Sequence, residues 1–232
     1  EDDVEIGEGC VLYPGVNVLN GTRLGKNNTV FQNTVLSAIP QDFNYTGDAT
    51  ELIIGDGNII RENVVINRAT YKGDKTVIGN NNFIMEGVHI SHDAIIGNGC
   101  VLCDGTKIAG CVEIADAAIF SSGCIVNPGA RIGTRTMIQG GCRISHDVPP
   151  YIIATDAPAR FGGTNAEHLS HFHIPEKVQA HIANAYRLLF QGQNSTFDSI
   201  LSIKQQVPDS PEIQEIVKFL EDTKLGIIGK EV

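Results

Sequence analysis

The chain has 232 residues, with 17 basic and 27 acidic side chains that give a formal charge of −10. This acidic balance disfavours a nucleic-acid surface, and no apolar run approaches the roughly 20 residues that an integral membrane helix needs. The chain carries no recognisable signal peptide and opens at Glu1 without a Met, so we expect native residues ahead of it.

An aliphatic residue recurs at most of the sixth positions from Ile6 to Ile144. Of the 24 positions divisible by six in this range, 20 are Ile, Leu or Val and one is Phe. Neither an α-helix nor an alternating β-strand has this period. In a hexapeptide β-helix, each short strand contributes one large inward side chain before the chain turns a corner. The pattern therefore predicts a parallel β-helix and disfavours an ordinary β-sandwich.

Two further regularities set the size of one coil. A mostly small residue stands four positions after most of the aliphatic ones and should form a second inward layer; examples are Ala94, Cys100, Thr106, Ala118, Cys124, Ala130, Thr136 and Cys142. Glycine directly follows the aliphatic residue at positions spaced by multiples of 18, namely Gly7, Gly25, Gly79, Gly97 and Gly133. One coil should therefore hold three hexapeptides, with one corner that uses glycine for its conformational freedom.

The repeat is interrupted at Ser37 to Leu52 and at Arg68 to Thr76, which lose the apolar positions but keep the count of six. Each interruption therefore predicts a loop that leaves the prism without disturbing its register. Loops on a rigid scaffold often carry binding residues.

The first histidines of the chain, His89 and His92, follow the second loop. With three hexapeptides per coil, each residue should lie about 4.8 Å from its counterpart on the next coil. His92 would then lie beside Gly110. A base, the adjoining carboxylate of Asp93 and a bare backbone amide are the parts that acyl transfer to a hydroxyl needs. The alternative is a pair of surface histidines in a repetitive array.

The sequence favours neither a metal site at the histidines nor disulfide bonds between the cysteines. Zinc sites in β-helix enzymes usually need three histidines, and the remaining histidines all lie late in the chain, so no metal is predicted. Cys100 and Cys103 have the spacing of a redox pair, but one should point inward and the other should lie at a corner. The cysteines show no paired framework that suggests secretion, which favours a reduced, cytoplasmic protein.

The repeat stops at Val148-Pro149-Pro150-Tyr151, and an irregular link, TDAPARFGGTNAEH, is expected to follow. A helix is predicted from Pro175 through PEKVQAHIANAYRLLF, with an apolar face made of Val178, Ile182, Ala185, Leu188 and Leu189. A second helix should run from Thr196 to Val207, and a third from Ser210-Pro211 to an end at Gly226.

Four segments carry a resemblance to a known family: IGDGNIIRENVVINRAT, MEGVHISHDAIIGNGC, KIAGCVEI and ISHDVPPYIIATDAPARFGGTNAEHL. They resemble the UDP-N-acetylglucosamine O-acyltransferase of lipid A biosynthesis, a hexapeptide-repeat acyltransferase of Gram-negative bacteria. The resemblance implies a left-handed parallel β-helix over residues 1–156 and a C-terminal α-helical domain over 157–232. Only the resemblance supplies the left hand, which is an exception to the usual crossover rule. It also implies a homotrimer with active sites between subunits.

The resemblance assigns three catalytic roles. His92 is the general base that removes the proton from the sugar 3-hydroxyl, Asp93 orients it, and the Gly110 N–H stabilises the oxyanion of the thioester carbonyl. The acyl donor is carried on the phosphopantetheine of acyl carrier protein, and no other cofactor is expected.

The resemblance also implies substrate contacts. Asp42 would bind the sugar hydroxyls and His89 would contact the glucosamine. Asn165 and Glu167 would contact the acyl chain or the nucleotide, and Gly140 would leave space for a long acyl tail.

Some positions depart from the family pattern. Asn44 stands for a lysine, Cys111 for a histidine, Asn127-Pro128 for a His-Gln pair, His171-Phe172 for paired arginines and Ala69 for a glycine. These changes remove cationic contacts for a pyrophosphate or pantetheine but leave the base, its partner and the oxyanion glycine.

The leading hypothesis is transfer of a 3-hydroxyacyl group from acyl carrier protein to UDP-N-acetylglucosamine. Two alternatives stay open: N-acylation of an amino-sugar nucleotide by a related β-helix transferase, and a non-catalytic paralogue that binds a sugar nucleotide. The region from VPPY to the helical tail argues against the first alternative. The departures from the family pattern keep the second open.

Overall fold

Short strands wind into a three-sided prism in the computed structural model, which describes residues 1–191 and 194–229. Within these residues the first sheet has seven strands: Val4–Ile6, Thr22–Leu24, Glu51–Ile54, Lys75–Ile78, Ile95–Ile96, Glu113–Ile114 and Arg131–Ile132. The second has nine: Val11–Leu12, Thr29–Val30, Ile59–Ile60, Phe83–Ile84, Val101–Leu102, Ile119–Phe120, Met137–Ile138, Ile152–Thr155 and Arg160–Thr164. The third has seven: Asn17–Val18, Val35–Ala38, Val65–Asn67, His89–Ile90, Lys107–Ile108, Ile125–Val126 and Arg143–Ile144.

The register between coils confirms the predicted parallel β-helix. Ile95 pairs with Val77 on one side and Glu113 on the other, each 18 positions away. The sixth-position aliphatic residues fill the interior from Leu24 to Ile144, and no more than 3 % of any of them is exposed. The small residues of the second layer, among them Cys100, are buried with them. Hydrophobic burial therefore holds the coils together from Leu24 onward, whereas Ile6 and Leu12 in the first coil are 46 % and 37 % exposed.

Both predicted loops leave the same corner of the prism, between the third sheet and the first. Thr22 pairs with Leu52 across 30 positions, twelve more than a regular coil. Glu51 pairs with Lys75 across 24 positions, six more than a regular coil. Because both insertions are multiples of six, residues 39–50 and 68–74 bulge outward while the inward pattern continues.

The reason predicted for the corner glycines is wrong. Gly79 is not among the residues with positive φ; the left-handed residue comes two positions later, at Asn81, with a φ of 56°. A Cβ on Gly79 would instead lie 2.5 Å from the carbonyl oxygen of Gly97 on the next coil. These glycines are needed because adjacent coils approach too closely for a side chain.

The link predicted to be irregular contains a β-hairpin and a short helix. Ile152–Thr155 continues the second sheet in parallel with Met137–Ile138, and Arg160–Thr164 folds back on it in antiparallel orientation. Ile152 and Ala154 are fully buried, so they extend the core although the period of six has ended. The second sheet thus continues past residue 156, where the sequence predicts a domain boundary.

Four helices follow among the described residues: α1 (Ala166–His171), α2 (Glu176–Phe190), α3 (Thr196–Gln206) and α4 (Pro211–Glu221). The three longer ones match the predicted helices, and the side chains of Ser195 and Ser210 cap α3 and α4. Helix α4 ends at Glu221, earlier than predicted, because the chain returns to the prism and Asp147 N–H donates to Gly226 O at 2.9 Å. No helix in the described part of the chain is long and apolar enough to cross a bilayer.

Candidate active site

Five residues meet on the edge of the prism from which the two loops emerge; we call Asp42, Thr70, His92, Asp93 and Gly110 the histidine corner. His92 and Asp93 connect strands His89–Ile90 and Ile95–Ile96, and Gly110 makes the same connection one coil later. Because the coils are in register, the imidazole lies directly against this glycine. The predicted juxtaposition of His92 and Gly110 is confirmed.

Asp93 holds the imidazole in one orientation. Its Oδ2 lies 2.7 Å from Nδ1 of His92, and both side chains are mostly shielded, with 15 % and 16 % exposed. Asp93 adopts a φ of 60°, a conformation that Asp tolerates better than most residues. Its own N–H donates to Thr76 Oγ1 at 2.9 Å. A carboxylate at Nδ1 favours the tautomer that leaves the Nε2 lone pair free to accept a proton.

Gly110 is the surface against which the ring rests. A Cβ at this position would lie 2.5 Å from Cε1 and 2.8 Å from Nε2 of His92, so any side chain would displace the imidazole. Within the part of the chain that the structure describes, the Gly110 N–H has no hydrogen-bond acceptor. A bare amide beside a base can donate to a negatively charged oxygen.

Asp42 lies near the other ring nitrogen of His92, Nε2. Its Oδ2 lies 3.8 Å from Nε2 of His92, too far for a hydrogen bond, and 3.4 Å from Thr70 Oγ1. The backbone N–H of Asn44, 2.9 Å from Oδ1, is the main reason that the pKa of Asp42 lies below its usual range, and His92 lowers this pKa further. The carboxylate is therefore held ionised beside the base.

The first loop is fixed by Asn67 and Arg68, at the start of the second loop. Asn67 Nδ2 donates to Ile39 O at 2.7 Å, and Arg68 donates to Tyr45 Oη at 2.9 Å. The Arg68 guanidinium also donates to Asn20 O at 3.1 Å. These contacts place Asp42 at the corner instead of leaving it in a free loop.

Thr70 is a further residue of the histidine corner that the sequence did not predict. Its Oγ1 lies 2.9 Å from Nδ1 of His92, and its N–H is 3.2 Å from both carboxylate oxygens of Asp93. Thr70 stands 22 positions before His92, so a search at the regular spacing passes over it. The 24-residue coil that contains the second loop pairs Val65 with His89, so its register would place Arg68 opposite His92, and no fixed spacing points to Thr70.

His89 lies at the margin of this group. It occupies the third-sheet strand just before the corner, and a ring nitrogen contacts Ser91 Oγ at 3.1 Å. Burial, with a smaller contribution from Lys107, lowers the pKa of His89. The neutral imidazole is thus favoured in the folded protein.

The other predicted contact residues lie elsewhere in the same chain. Asn165 and Glu167 help to line a cavity of about 840 Å³ on the second sheet, the face opposite the histidine corner. Asn165 is buried, and its Nδ2 donates to Arg135 O at 3.1 Å. Gly140 sits at the corner between the second and third sheets, where a Cβ would lie 3.4 Å from Ser122 O. One chain alone does not bring these residues to His92.

The cysteines follow the prediction. All six have free thiols; Cys100 is buried in the inward layer, whereas Cys103 is partly exposed at a corner. Cys111 is exposed beside the histidine corner, where it, His92 and Asp93 each offer a possible metal-ligand atom within 4.8 Å of the others.

A β-helix of hexapeptide repeats that holds a histidine–carboxylate pair against a free amide defines an acyltransferase of the hexapeptide class. In agreement, residues 75–110 match the bacterial transferase hexapeptide model. Residues 147–228 match the model described as UDP N-acetylglucosamine O-acyltransferase, domain 2.

Solved structures of UDP-N-acetylglucosamine acyltransferases are similar to this chain over nearly its whole length. The chain is 41 % identical to a UDP-N-acetylglucosamine acyltransferase from Bacteroides fragilis, with 98 % of this chain and 96 % of that chain covered and a TM-score of 0.94. It is 34 % identical to the enzyme from Francisella novicida, with 97 % and 83 % covered and a TM-score of 0.92. The enzyme from Acinetobacter baumannii is 33 % identical, with 97 % and 88 % covered and a TM-score of 0.94.

The chain therefore belongs to the family of UDP-N-acetylglucosamine O-acyltransferases. The predictions of an acyltransferase and of a left-handed parallel β-helix with a helical tail are confirmed.

Proposed function

We propose that this enzyme transfers a 3-hydroxyacyl group from acyl carrier protein to the 3-hydroxyl of UDP-N-acetylglucosamine, the first step of lipid A biosynthesis. The observation that carries the proposal is the His92 imidazole, held by Asp93 at 2.7 Å and resting on the bare backbone of Gly110. The identity of the sugar-nucleotide acceptor is inferred from family membership. The histidine corner contains the base and the amide donor that the reaction needs.

The chemistry can be written from these groups. Nε2 of His92 takes the proton of the sugar hydroxyl while the hydroxyl oxygen attacks the thioester carbonyl carbon. The Gly110 N–H donates to the oxyanion of the tetrahedral intermediate. As the carbonyl re-forms, the C–S bond breaks and the leaving thiolate takes the proton from His92. Asp93 stabilises the imidazolium between the two proton transfers.

Asp42 is suited to orient the acceptor. Its ionised Oδ2, 3.8 Å from Nε2 of His92, can accept a hydrogen bond from a neighbouring sugar hydroxyl while the reacting hydroxyl donates its proton to Nε2. The side chain of Asn44, which stands where the family has a lysine, donates to Asp42 Oδ1 at 3.0 Å. This substitution therefore fixes the carboxylate instead of adding a positive charge. His89, three residues before the base, would contact the glucosamine from the adjoining strand.

A homotrimer with active sites between subunits would bring the remaining residues into use. Asn165, Glu167 and Gly140 lie away from the histidine corner in one chain, so a neighbouring copy would have to supply them. The cavity that Asn165 and Glu167 line also exposes Ile119, Met137 and Ile153, whose apolar side chains suit an acyl chain. The donor would be an acyl carrier protein, with no further cofactor. We also propose a cytoplasmic location in a Gram-negative bacterium; cysteines without disulfide partners suit a reducing compartment.

The test is product analysis with purified enzyme, UDP-N-acetylglucosamine and 3-hydroxyacyl carrier proteins of graded chain length. We expect an ester at the sugar 3-hydroxyl, which mild base cleaves and mass spectrometry locates. An amide formed only with an amino-sugar nucleotide would favour N-acylation. Calorimetric binding of the sugar nucleotide without turnover of any donor would favour a non-catalytic paralogue.

A further inference from the structure

Thr70 touches three other members of the histidine corner, and the proposed transfer gives it no role. Its hydroxyl oxygen lies 2.9 Å from Nδ1 of His92 and 3.4 Å from Oδ2 of Asp42. Its backbone N–H donates to both carboxylate oxygens of Asp93 at 3.2 Å. Only 1 % of Thr70 is exposed, so its side chain is held where these groups meet. Thr70 is therefore placed to link the base to both carboxylates.

The position of one proton fixes the direction of these hydrogen bonds. The carboxylate of Asp93, 2.7 Å from Nδ1 of His92, requires a hydrogen on that nitrogen, because two lone pairs would repel each other. The Nδ1–H therefore donates to Asp93 and, more weakly, to the Thr70 oxygen. The hydroxyl hydrogen of Thr70 then points away from the ring, and Oδ2 of Asp42 is the acceptor within reach among the described residues. The result is a chain from Nδ1–H through the Thr70 hydroxyl to Asp42.

The two oxygens of the Asp42 carboxylate have different partners. Oδ1 accepts from the backbone N–H and the side-chain amide of Asn44, at 2.9 and 3.0 Å. In the described part of the chain, Thr70 is the hydrogen-bond donor to Oδ2, the oxygen 3.8 Å from Nε2 of His92. A contact of 3.4 Å is long for a hydrogen bond between oxygens, and such bonds commonly tighten when a substrate binds. The Thr70 hydroxyl thus sets the position of this oxygen relative to the base.

We propose that Thr70 is a positioning residue whose hydroxyl couples the His92 base to the Asp42 carboxylate that orients the acceptor sugar. When Nε2 takes the acceptor proton, the imidazole becomes positively charged and its Nδ1–H becomes a stronger donor. This stronger bond polarises the Thr70 O–H towards Asp42. The hydroxyl proton stays on Thr70 throughout, and Asp93 remains the main partner of the imidazolium. The role rests on the proposed function, because it needs a hydroxyl acceptor at the corner.

Thr70→Val removes the hydroxyl but keeps the shape of the side chain and the N–H that holds Asp93. Loss of a hydrogen bond to a charged group should raise the KM for UDP-N-acetylglucosamine about tenfold or more. Because Asp93 still orients the ring, kcat should fall less than about tenfold. The KM for the acyl donor should stay within about twofold, and Thr70→Ser should bring the acceptor KM back to within about threefold of the wild type. An unchanged acceptor KM in Thr70→Val, or no recovery in Thr70→Ser, overturns the role.

Thr34→Val is the matched control. Thr34 is a buried threonine at a different corner, and its hydroxyl donates to Arg61 O at 2.7 Å. Its loss should lower the midpoint of urea unfolding and leave the acceptor KM unchanged. A rise in acceptor KM in Thr34→Val as large as that in Thr70→Val would mean that any lost hydroxyl disturbs the site, and would overturn the specific role of Thr70.

A double-mutant cycle tests whether Thr70 acts through Asp42. The acceptor KM of the Thr70→Val, Asp42→Ala double variant should be close to that of Asp42→Ala alone, because the hydroxyl then has no carboxylate to hold. Increases in KM that multiply would show that the two residues act independently, and would overturn the coupling.

A structural measurement separates this role from the proposed function. A wild-type enzyme that does not acylate UDP-N-acetylglucosamine would reject the proposed function. The coupling is then decided by crystal structures of the wild type and Thr70→Val. Without the hydroxyl, Oδ2 of Asp42 should move away from Nε2 of His92, beyond 3.8 Å. An Asp42 side chain in the same place in both structures would overturn the coupling.

Discussion

Two corners of the same prism use polar residues in opposite ways. At the corner between the first and second sheets, here called the asparagine corner (Asn58, Asn80, Asn82, Asn98 and Asp116), each coil repeats the hydrogen bonds of the one before. Asn80 N–H donates to Asn98 Oδ1 at 2.9 Å, and Asn98 N–H donates to Asp116 Oδ1 at 2.7 Å. Inside the prism, Asn82 N–H donates to Asn58 Oδ1 at 2.9 Å. The polar groups there satisfy one another.

The histidine corner breaks this repetition. Each coil contributes a different group: Asp42 and Thr70 from loops, His92 and Asp93 from a tight turn, and a bare glycine above them. The hydrogen bonds converge on one imidazole, and the Nε2 atom and the Gly110 amide stay available. Repetition therefore stabilises one edge, while departures from it create a reactive edge on the same scaffold. Substitutions at the two corners should separate stability from catalysis.

The largest expected effect is that of Asp93→Asn. The amide cannot favour the imidazole tautomer that leaves Nε2 basic, so kcat should fall about 10³-fold. Asn tolerates the left-handed backbone at this position, so the melting temperature should stay close to that of the wild type. Asp116→Asn is the control, since its Oδ1 only accepts hydrogen bonds from Asn98 and an amide oxygen can replace it. Equal kcat values for Asp93→Asn and Asp116→Asn would contradict the assignment of catalysis to the histidine corner alone.

Alanine at two glycines should give contrasting results. A Cβ at Gly110 meets the His92 ring, so Gly110→Ala should lower kcat about 10²-fold by moving the base, with little change in stability. A Cβ at Gly97 would lie 2.9 Å from Asp116 N, where backbone must shift. Gly97→Ala should therefore destabilise the fold by about 1–3 kcal/mol and leave the kcat of folded enzyme unchanged. Denaturant titration and steady-state kinetics on both variants measure the contrast, which an unchanged kcat in Gly110→Ala would refute.

Asn82→Ala should affect stability alone. Asn82 Oδ1 accepts from Cys100 N–H at 2.7 Å and its Nδ2 donates to Gly97 O at 3.0 Å, both inside the prism. Leaving these groups unpaired should cost about 2 kcal/mol in urea unfolding. The exposed Asn98→Ala, whose partners water can replace, should cost less than about 1 kcal/mol. Similar losses of unfolding free energy in the two variants would mean that burial does not determine how much each asparagine of this corner contributes to stability.

The smallest expected effect concerns pH and His89. Burial lowers the pKa of His89 in the folded protein, so the unfolded chain binds this proton more readily. Its contribution to stability is therefore present above the unfolded value of about 6.5 and is lost as the pH falls below it. Between pH 7.5 and pH 5.5, roughly one unit either side of that value, the urea midpoint of His89→Gln should fall less than that of the wild type. A variant at the exposed His173 serves as the control, and an equal fall for His89→Gln and the wild type would contradict the assignment.

The fold could be predicted because one rule repeats along the chain. Each Ile at a sixth position marks an inward-facing side chain, and both loop insertions are multiples of six residues. The spacing of 18 residues per coil was therefore enough to place His92 beside Gly110. The left-handed sense of the β-helix could not be predicted in this way, because a period of six is compatible with either handedness. Only the family resemblance indicated it. The hairpin at Ile152–Thr155 and Arg160–Thr164 was missed because it obeys sheet pairing without the period.

The site was predicted where it follows the register and missed where loops close on it. Thr70 reaches His92 from within the second loop, outside the register that pairs Val65 with His89. The approach of Asp42 to the imidazole depends on the contacts that Asn67 and Arg68 make with the first loop. Contacts of this kind join segments without a fixed spacing. No periodic pattern encodes them.

The central claim is that one imidazole, held against the Gly110 backbone, acts as the base. Steady-state kinetics of His92→Ala and His89→Ala, with matched melting temperatures, test it most directly because the two histidines lie only three residues apart. We predict that His92→Ala lowers kcat by about 10³-fold, whereas His89→Ala acts mainly on KM and keeps kcat within about tenfold. A His92→Ala enzyme that turns over at the wild-type rate would contradict the account.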